Sequence, residues 1–278
     1  MVGTLAQLIA FVSHGNAFLM DGFRVQDFYP SNSTFQFCNQ VSFVTLRKGF
    51  RRTEIEVAQT PNDWFTFLAG HKCQRLSIGY LPSSNPTFSD HKLAGLVGGG
   101  VTWQIASCFS KYADYWLSRW EVTDRKAPDK RIWKVTYGRV AENKGLPRFS
   151  IDLLSDKDKL ESILKRIGTF ARQHDLDFWA DKFHNALEAL TSDDPISLTY
   201  HKDLLPVDGY GLDAKRLISA CSEAWVFGGM GSWNDLGFED KSENEQYERL
   251  SKDLYETINL CVVTAANSYG QHLLVPLR

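Results

Sequence analysis

Apolar residues recur at helical spacing most clearly near the C-terminal end of the chain. Tyr247, Leu250, Leu254, Ile258, Cys261 and Ala265 are three or four positions apart, which places them on one face of a helix. Ser242 with Glu245 three residues later forms a capping-box pattern at its start, and Gly270 follows as a stop, so the spacing predicts a helix from Ser242 to about Asn267. About six buried side chains at roughly 1.5–3 kcal/mol each give this face gross burial on the order of 10 kcal/mol.

Three more helices are expected upstream. Ser155 is read as the cap of one that carries Leu160, Ile163, Leu164, Ile167, Phe170 and Ala171 on a single face. A second covers residues 176–191 with Trp179, Phe183, Ala186, Leu187 and Leu190 inward, and forms a helical hairpin with the first. A third is capped by Asp213, carries Leu217, Ile218, Cys221 and Trp225, and ends at Gly228.

The first 145 residues read differently. After a short amphipathic helix over residues 4–13, capped by Thr4 and stopped by Gly15, alternation replaces the helical period. Phe35 and Phe37 begin that alternation, and residues 41–46 and 53–58 form a hairpin whose tip holds Arg47, Lys48, Arg51 and Arg52. Residues 76–81 and 101–109 are further strands. The clearest hairpin pairs 114–123 with 131–140, where Trp116, Ser118, Trp120 and Val122 share one face and Trp133, Val135 and Tyr137 another. Strands followed by helices, without strict alternation, make an α+β protein: a mostly antiparallel β half over residues 1–145 and a helical half over 146–278, as two domains or one.

Composition sharpens this picture in three places. An aromatic content of 13% excludes a disordered chain. The net charge of −2 conceals 18 Lys+Arg against 11 Asp+Glu in residues 1–150 and 13 against 22 in residues 151–278. The basic and acidic halves therefore attract one another, within the chain or head to tail, and an acidic partner for the basic half is the alternative. Five widely spaced cysteines, with no Cys-x-x-Cys, fit reduced thiols in a reducing compartment. The apolar run over residues 5–12 lacks a preceding basic residue and is too short to span a bilayer, so a cytoplasmic protein without a membrane segment is expected.

Motifs for chemistry fail one by one. The peptide Gly228-Gly229-Met230-Gly231-Ser232 lacks the lysine of a phosphate-binding loop, follows a helix rather than a strand, and does not match Gly-x-Ser-x-Gly. No His-Glu-x-x-His occurs, and His71 with Cys73 supplies two metal ligands where a site needs three or four, so neither a metal nor a cofactor is expected. Asp177 and Asp181 stand one helical turn apart, placed either to share a cation or proton or to decorate a solvated helix start. The glycine peptide is either a packed connection between helices or the wall of a cleft lined by Trp233, Asn234 and Asp235.

The segment Ala224-Trp225-Val226-Phe227-Gly228-Gly229-Met230-Gly231-Ser232-Trp233-Asn234-Asp235, with Arg148-Phe149-Ser150 and Phe178-Trp179-Ala180-Asp181, resembles an uncharacterised bacterial family that ends in a similar stretch. The resemblance implies no function. Three functions fit the sequence. The first is a non-enzymatic cytoplasmic binding or accessory protein, immunity-like in role, that holds a protein partner or a second copy of itself. The second is an enzyme with a cleft between the halves near Trp233, Asn234 and Asp235, using Asp177 and Asp181. The third is a weak nucleic-acid binder acting through Arg51, Arg52 and the second hairpin's cations, a reading that no nucleic-acid-binding motif supports.

Overall fold

The computed structural model describes residues 1–22, 28–47, 53–83, 90–94 and 99–271. The chain opens with helix α1 (Gly3–Met20), followed by strands β1 (Cys38–Arg47) and β2 (Thr53–Ala58), helix α2 (Pro61–Gly70), strand β3 (Arg75–Leu81) and the single turn α3 (Asp90–Leu93). Strands β4 (Thr102–Cys108), β5 (Ala113–Val122) and β6 (Trp133–Lys144) complete the sheet. Helices α4 (Leu153–Gln173), α5 (Asp177–Thr191), α6 (Leu212–Glu223) and α7 (Lys241–Ala266) follow. The fold is α+β, with a six-stranded sheet in the first half and the long helices in the second.

The sheet is built from two local units. β3 to β6 form an antiparallel meander, and the β1–β2 hairpin joins it by a parallel pairing of β1 with β6, giving the order β2-β1-β6-β5-β4-β3. The expected hairpins are present, and Trp120 lies opposite Val135 as the alternation requires. The parallel pair is the one exception to antiparallel pairing among the described strands.

Helix α1 departs most from expectation. It runs to Met20, through Gly15, and it is buried on nearly every side rather than amphipathic. Its cap is Val2, without a side-chain bond, rather than Thr4. Gly15 is a contact, not a stop: a Cβ there would lie 2.4 Å from Leu76 Cδ1 and 2.8 Å from Phe65 Cε1. One turn earlier, Phe11 meets six rings (Phe28, Phe35, Phe43, Trp64, Phe65 and Tyr137), all of them edge to face.

The buried polar residues of α1 are all bonded, as burial demands. Gln7 donates to the carbonyl of Thr34 (3.2 Å) and accepts from the Tyr137 hydroxyl (2.8 Å). Ser13 donates to the carbonyl of Leu204 (2.6 Å). Asn16 donates to the carbonyl of Leu76 (3.0 Å) and accepts from its N–H (2.7 Å). Asn267, just past α7, does the same for Ile78, donating to its carbonyl and accepting from its N–H, both at 2.9 Å. Leu76 and Ile78 belong to β3, an edge strand, so two asparagines from different helices occupy the ladder positions that another chain would otherwise take.

The helical half follows its periodicity. All six apolar positions named for α4 and all six for α7 are buried. The caps shift by a few residues: Asp152 accepts from Ser155 N–H at α4, and Asp240 accepts from Glu243 N–H at α7, where Ser155 and Ser242 were expected. Gly211 rather than Asp213 precedes α6, and that helix ends at Glu223, short of Gly228. Among the described residues no helix is long and apolar enough to cross a membrane. Buried hydrophobic residues from Leu5 to Tyr269 join in one cluster that passes through both halves.

Candidate functional site

The glycine peptide leaves α6 and returns to the fold through a chain of local bonds. The Trp225 indole donates to the carbonyl of Phe227 (2.7 Å), the N–H of Ser232 donates to Gly229 O (3.1 Å), and the hydroxyl of Ser232 donates to Gly228 O (3.1 Å). Gly231 has φ +82°, which side chains rarely adopt, and its N–H donates to the Asp235 carboxylate. The turn is therefore braced from within, and a glycine is required at its bend.

Trp233 anchors the turn. It is fully buried, its indole donates to the Ser251 hydroxyl (2.7 Å), and its carbonyl accepts from the Tyr247 hydroxyl (2.5 Å). Its ring packs edge to face on Trp179 and Phe183 and at a tilt on Tyr247. This corrects the expectation that Trp233 lines a cleft, because a side chain with no accessible surface contacts no ligand. Asn234 donates to His91 O (2.8 Å), tying the turn to α3. Asp235 is exposed, and its carboxylate is engaged by Gly231.

What the turn presents is a residue the sequence reading did not single out. Met230 has a relative exposure of 101%, the largest among the exposed hydrophobic residues described. Phe178, at the start of α5, is 64% exposed, and its ring contacts Trp179, which contacts Trp233. Asp177 and Asp181 flank Phe178, and both carboxylates bind the Arg172 guanidinium. The pair therefore forms neither a proton-sharing dyad nor an open cation site, since each has taken a cationic partner at the surface. Arg51 and Arg52 lie outside the described residues.

The cleft between the halves opens elsewhere, under residues 146–151. Two cavities of about 760 and 590 Å³ meet there and share Pro147, Arg148, Phe149 and Ser150. Asp156, which lines the second, accepts from Lys159 (2.8 Å) and from the Thr264 hydroxyl (2.6 Å).

A further polar cluster joins residues remote in sequence. The Ser33 hydroxyl donates to the Asp203 carboxylate and lies 2.7 Å from His201 Nδ1, while Ser33 N–H donates to the same carboxylate (2.6 Å). In a nucleophilic triad the imidazole accepts the serine proton and the carboxylate holds the imidazole. Here the carboxylate holds the serine, so the cluster is a lock between two segments rather than a nucleophile. The Asp203 carbonyl adds bonds to Asn32 (2.6 Å) and to His14 Nε2 (3.0 Å). Asp203→Ala is expected to lower stability by about 2–4 kcal/mol, because charge-assisted bonds to two buried or half-buried donors are lost together. Denaturant unfolding measures it.

Three histidines are shifted in the same direction. Burial lowers the pKa of His14, only partly offset by its bond to Asp203, and lowers those of His91 and His201 despite Glu248 and Asp203 nearby. A folded-state pKa below the unfolded value means that the unfolded chain takes up the proton first. Stability conferred by the neutral imidazoles is thus present above about pH 6.5 and is lost as pH falls below it. The melting temperature is expected to drop between about pH 7.5 and 5, and His14→Gln to flatten that dependence.

No protein-family model matches the chain, and no curated protein and no solved structure matches it.

Proposed function

We propose that this α+β protein is a non-enzymatic binding protein that holds a protein partner through the Met230 turn, in the cytoplasm. The observation that carries the reading is Met230 itself, wholly exposed at the tip of a turn that internal bonds and a buried tryptophan hold in one shape. A long apolar side chain gains nothing from water. The braced turn fixes the backbone that presents it, so only the side chain has to be ordered when it enters a partner's pocket. Phe178 is a second exposed apolar side chain, linked to the anchor Trp233 through Trp179, and the exposed acidic residues Asp235, Glu239 and Asp240 that follow the turn in sequence favour a basic partner face. All five cysteines are buried free thiols, in keeping with a reducing compartment. An accessory or immunity-like role fits such a surface.

A photo-reactive amino acid placed at position 230 tests this in cells, with position 207 as the control because Val207 is 78% exposed and far along the chain from the turn. A discrete adduct is expected from position 230 alone. Excess unlabelled protein should suppress it, and excess Met230→Asp protein should not. Identical adducts from both positions, or equal competition by both proteins, would sink the reading.

A further inference from the structure

The larger of the two cavities between the halves has a chemical character that the Met230 surface does not share. Its wall holds two guanidinium residues, Arg75 from the start of β3 and Arg148 from the strap between β6 and α4, and no Asp or Glu. Among the described residues neither arginine forms an ion pair with a carboxylate, whereas Arg119, Arg139, Arg166, Arg172 and Arg216 all do. In a chain whose acidic groups outnumber its basic ones, two adjacent uncompensated arginines are a local excess of positive charge.

The rest of the wall fixes how the charge is presented. The Arg75 guanidinium lies 5.1 Å from the Phe149 ring centroid, so a cation–π contact holds it over that ring. Arg148 is exposed and Phe149 half-buried on the same strap. Leu146, Phe149 and Ile151 supply apolar surface, and Ser110 and Ser150 supply hydroxyls. The second cavity differs: its carboxylates Asp152 and Asp156 are taken up by the α4 cap and by Lys159 and Thr264. The Arg75 side of the strap thus carries positive charge alone, whereas on the other side Arg148 and Lys159 share the wall with two carboxylates.

We infer that the cavity formed by Arg75, Arg148 and Phe149 binds a small phosphomonoester, with the phosphate held by the two guanidinium groups and the apolar body against Phe149 and Leu146. Guanidinium forks match phosphate oxygens two at a time, and a phosphate dianion balances two guanidinium charges where a single carboxylate balances one. At about 760 Å³ the cavity has room for a body the size of a nucleoside beyond the phosphate. This site is independent of the Met230 surface.

Titration calorimetry on the full chain tests it with four probes: adenosine monophosphate, inorganic phosphate, adenosine and citrate. Both phosphate-bearing probes are expected to bind, the nucleotide more tightly, and adenosine to give no heat. Affinity should rise with pH through about 6, where the second phosphate proton leaves. Arg148→Gln should weaken nucleotide binding about tenfold to a hundredfold, the loss of one charge-assisted fork. Its exposed position, with no ion-pair partner among the described residues, leaves folding intact, which circular dichroism and an unchanged melting temperature check. Arg75→Lys should keep part of the affinity, since the charge stays and the fork goes. Absence of heat with both phosphate probes, undiminished binding in Arg148→Gln, or citrate bound as tightly as the nucleotide would each overturn the assignment.

Discussion

Trp233→Ala is expected to lower stability by about 3–5 kcal/mol, enough to leave a protein of ordinary stability only marginally folded. Three effects act together. The cavity removes ring contacts to Trp179, Phe183 and Tyr247, the Ser251 hydroxyl loses its donor, and the glycine turn loses its anchor. Trp233→Phe separates these effects: it keeps most of the apolar volume and orphans Ser251, so a cost of about 1–3 kcal/mol is expected. Thermal or urea unfolding of both variants measures the difference. If Trp233→Ala unfolds like the parent protein, then Trp233 is not the anchor, and the rigidity assigned to Met230 fails with it. Asp235→Ala is a milder probe of the same turn, with an expected cost of about 0.5–2 kcal/mol from the lost Gly231 bond.

Asn267→Ala is the second large effect. The side chain completes both free ladder positions of Ile78 at 2.9 Å, and Asn267, with 5% exposure, is itself buried. Removing it strands a buried donor and a buried acceptor, at about 1–3 kcal/mol each, so a loss of about 2–5 kcal/mol is expected. Asn267→Asp should not rescue it, because a carboxylate accepts from the N–H but offers nothing to the carbonyl. Combined with Asn16→Ala, the substitution uncovers two consecutive outward positions of an edge strand, and concentration-dependent aggregation is expected in light scattering. An Asn267→Ala protein as stable as the parent would show that the edge needs no such cover.

The two asparagines also show where sequence reading stops. Asn16 and Leu76 are 60 positions apart, and Asn267 and Ile78 are 189 apart. Nothing in the local pattern of either helix announces that its asparagine will act as a strand. The same holds for Ser33 and Asp203, 170 positions apart. Neither Ser33 nor Asp203 stands in a local pattern that would pair it with the other.

For the candidate site the division is similar. The sequence drew attention to the glycine peptide, since glycines between tryptophans demand a backbone reason, and the positive φ of Gly231 is that reason. It also offered a packed connection as one of two readings, which is where the structure places Trp233. Which residue the turn would expose was not legible. Trp233 and Met230 are both apolar, and only the neighbours that assemble around Trp233 make one buried and the other bare. Asp177 and Asp181 were legible as a pair on one helix side, but their partner Arg172 belongs to the preceding helix and becomes available only when α4 and α5 fold back on each other.

What the sequence determined by itself is what local physics sets: the helical period of α4, α5 and α7, the two-residue alternation of the strands, and the α+β order of the halves. These follow from spacing along one segment, within reach of a single turn or hairpin. Only the tertiary structure decided that α1 is buried on nearly every side and runs through Gly15, that β1 pairs parallel to β6, and that two arginines without a carboxylate partner among the described residues line one cavity beneath the strap at residues 146–151. Each of those depends on surfaces contributed by segments far apart in the chain. Burial and charge compensation belong to the assembled neighbours, not to the residue alone.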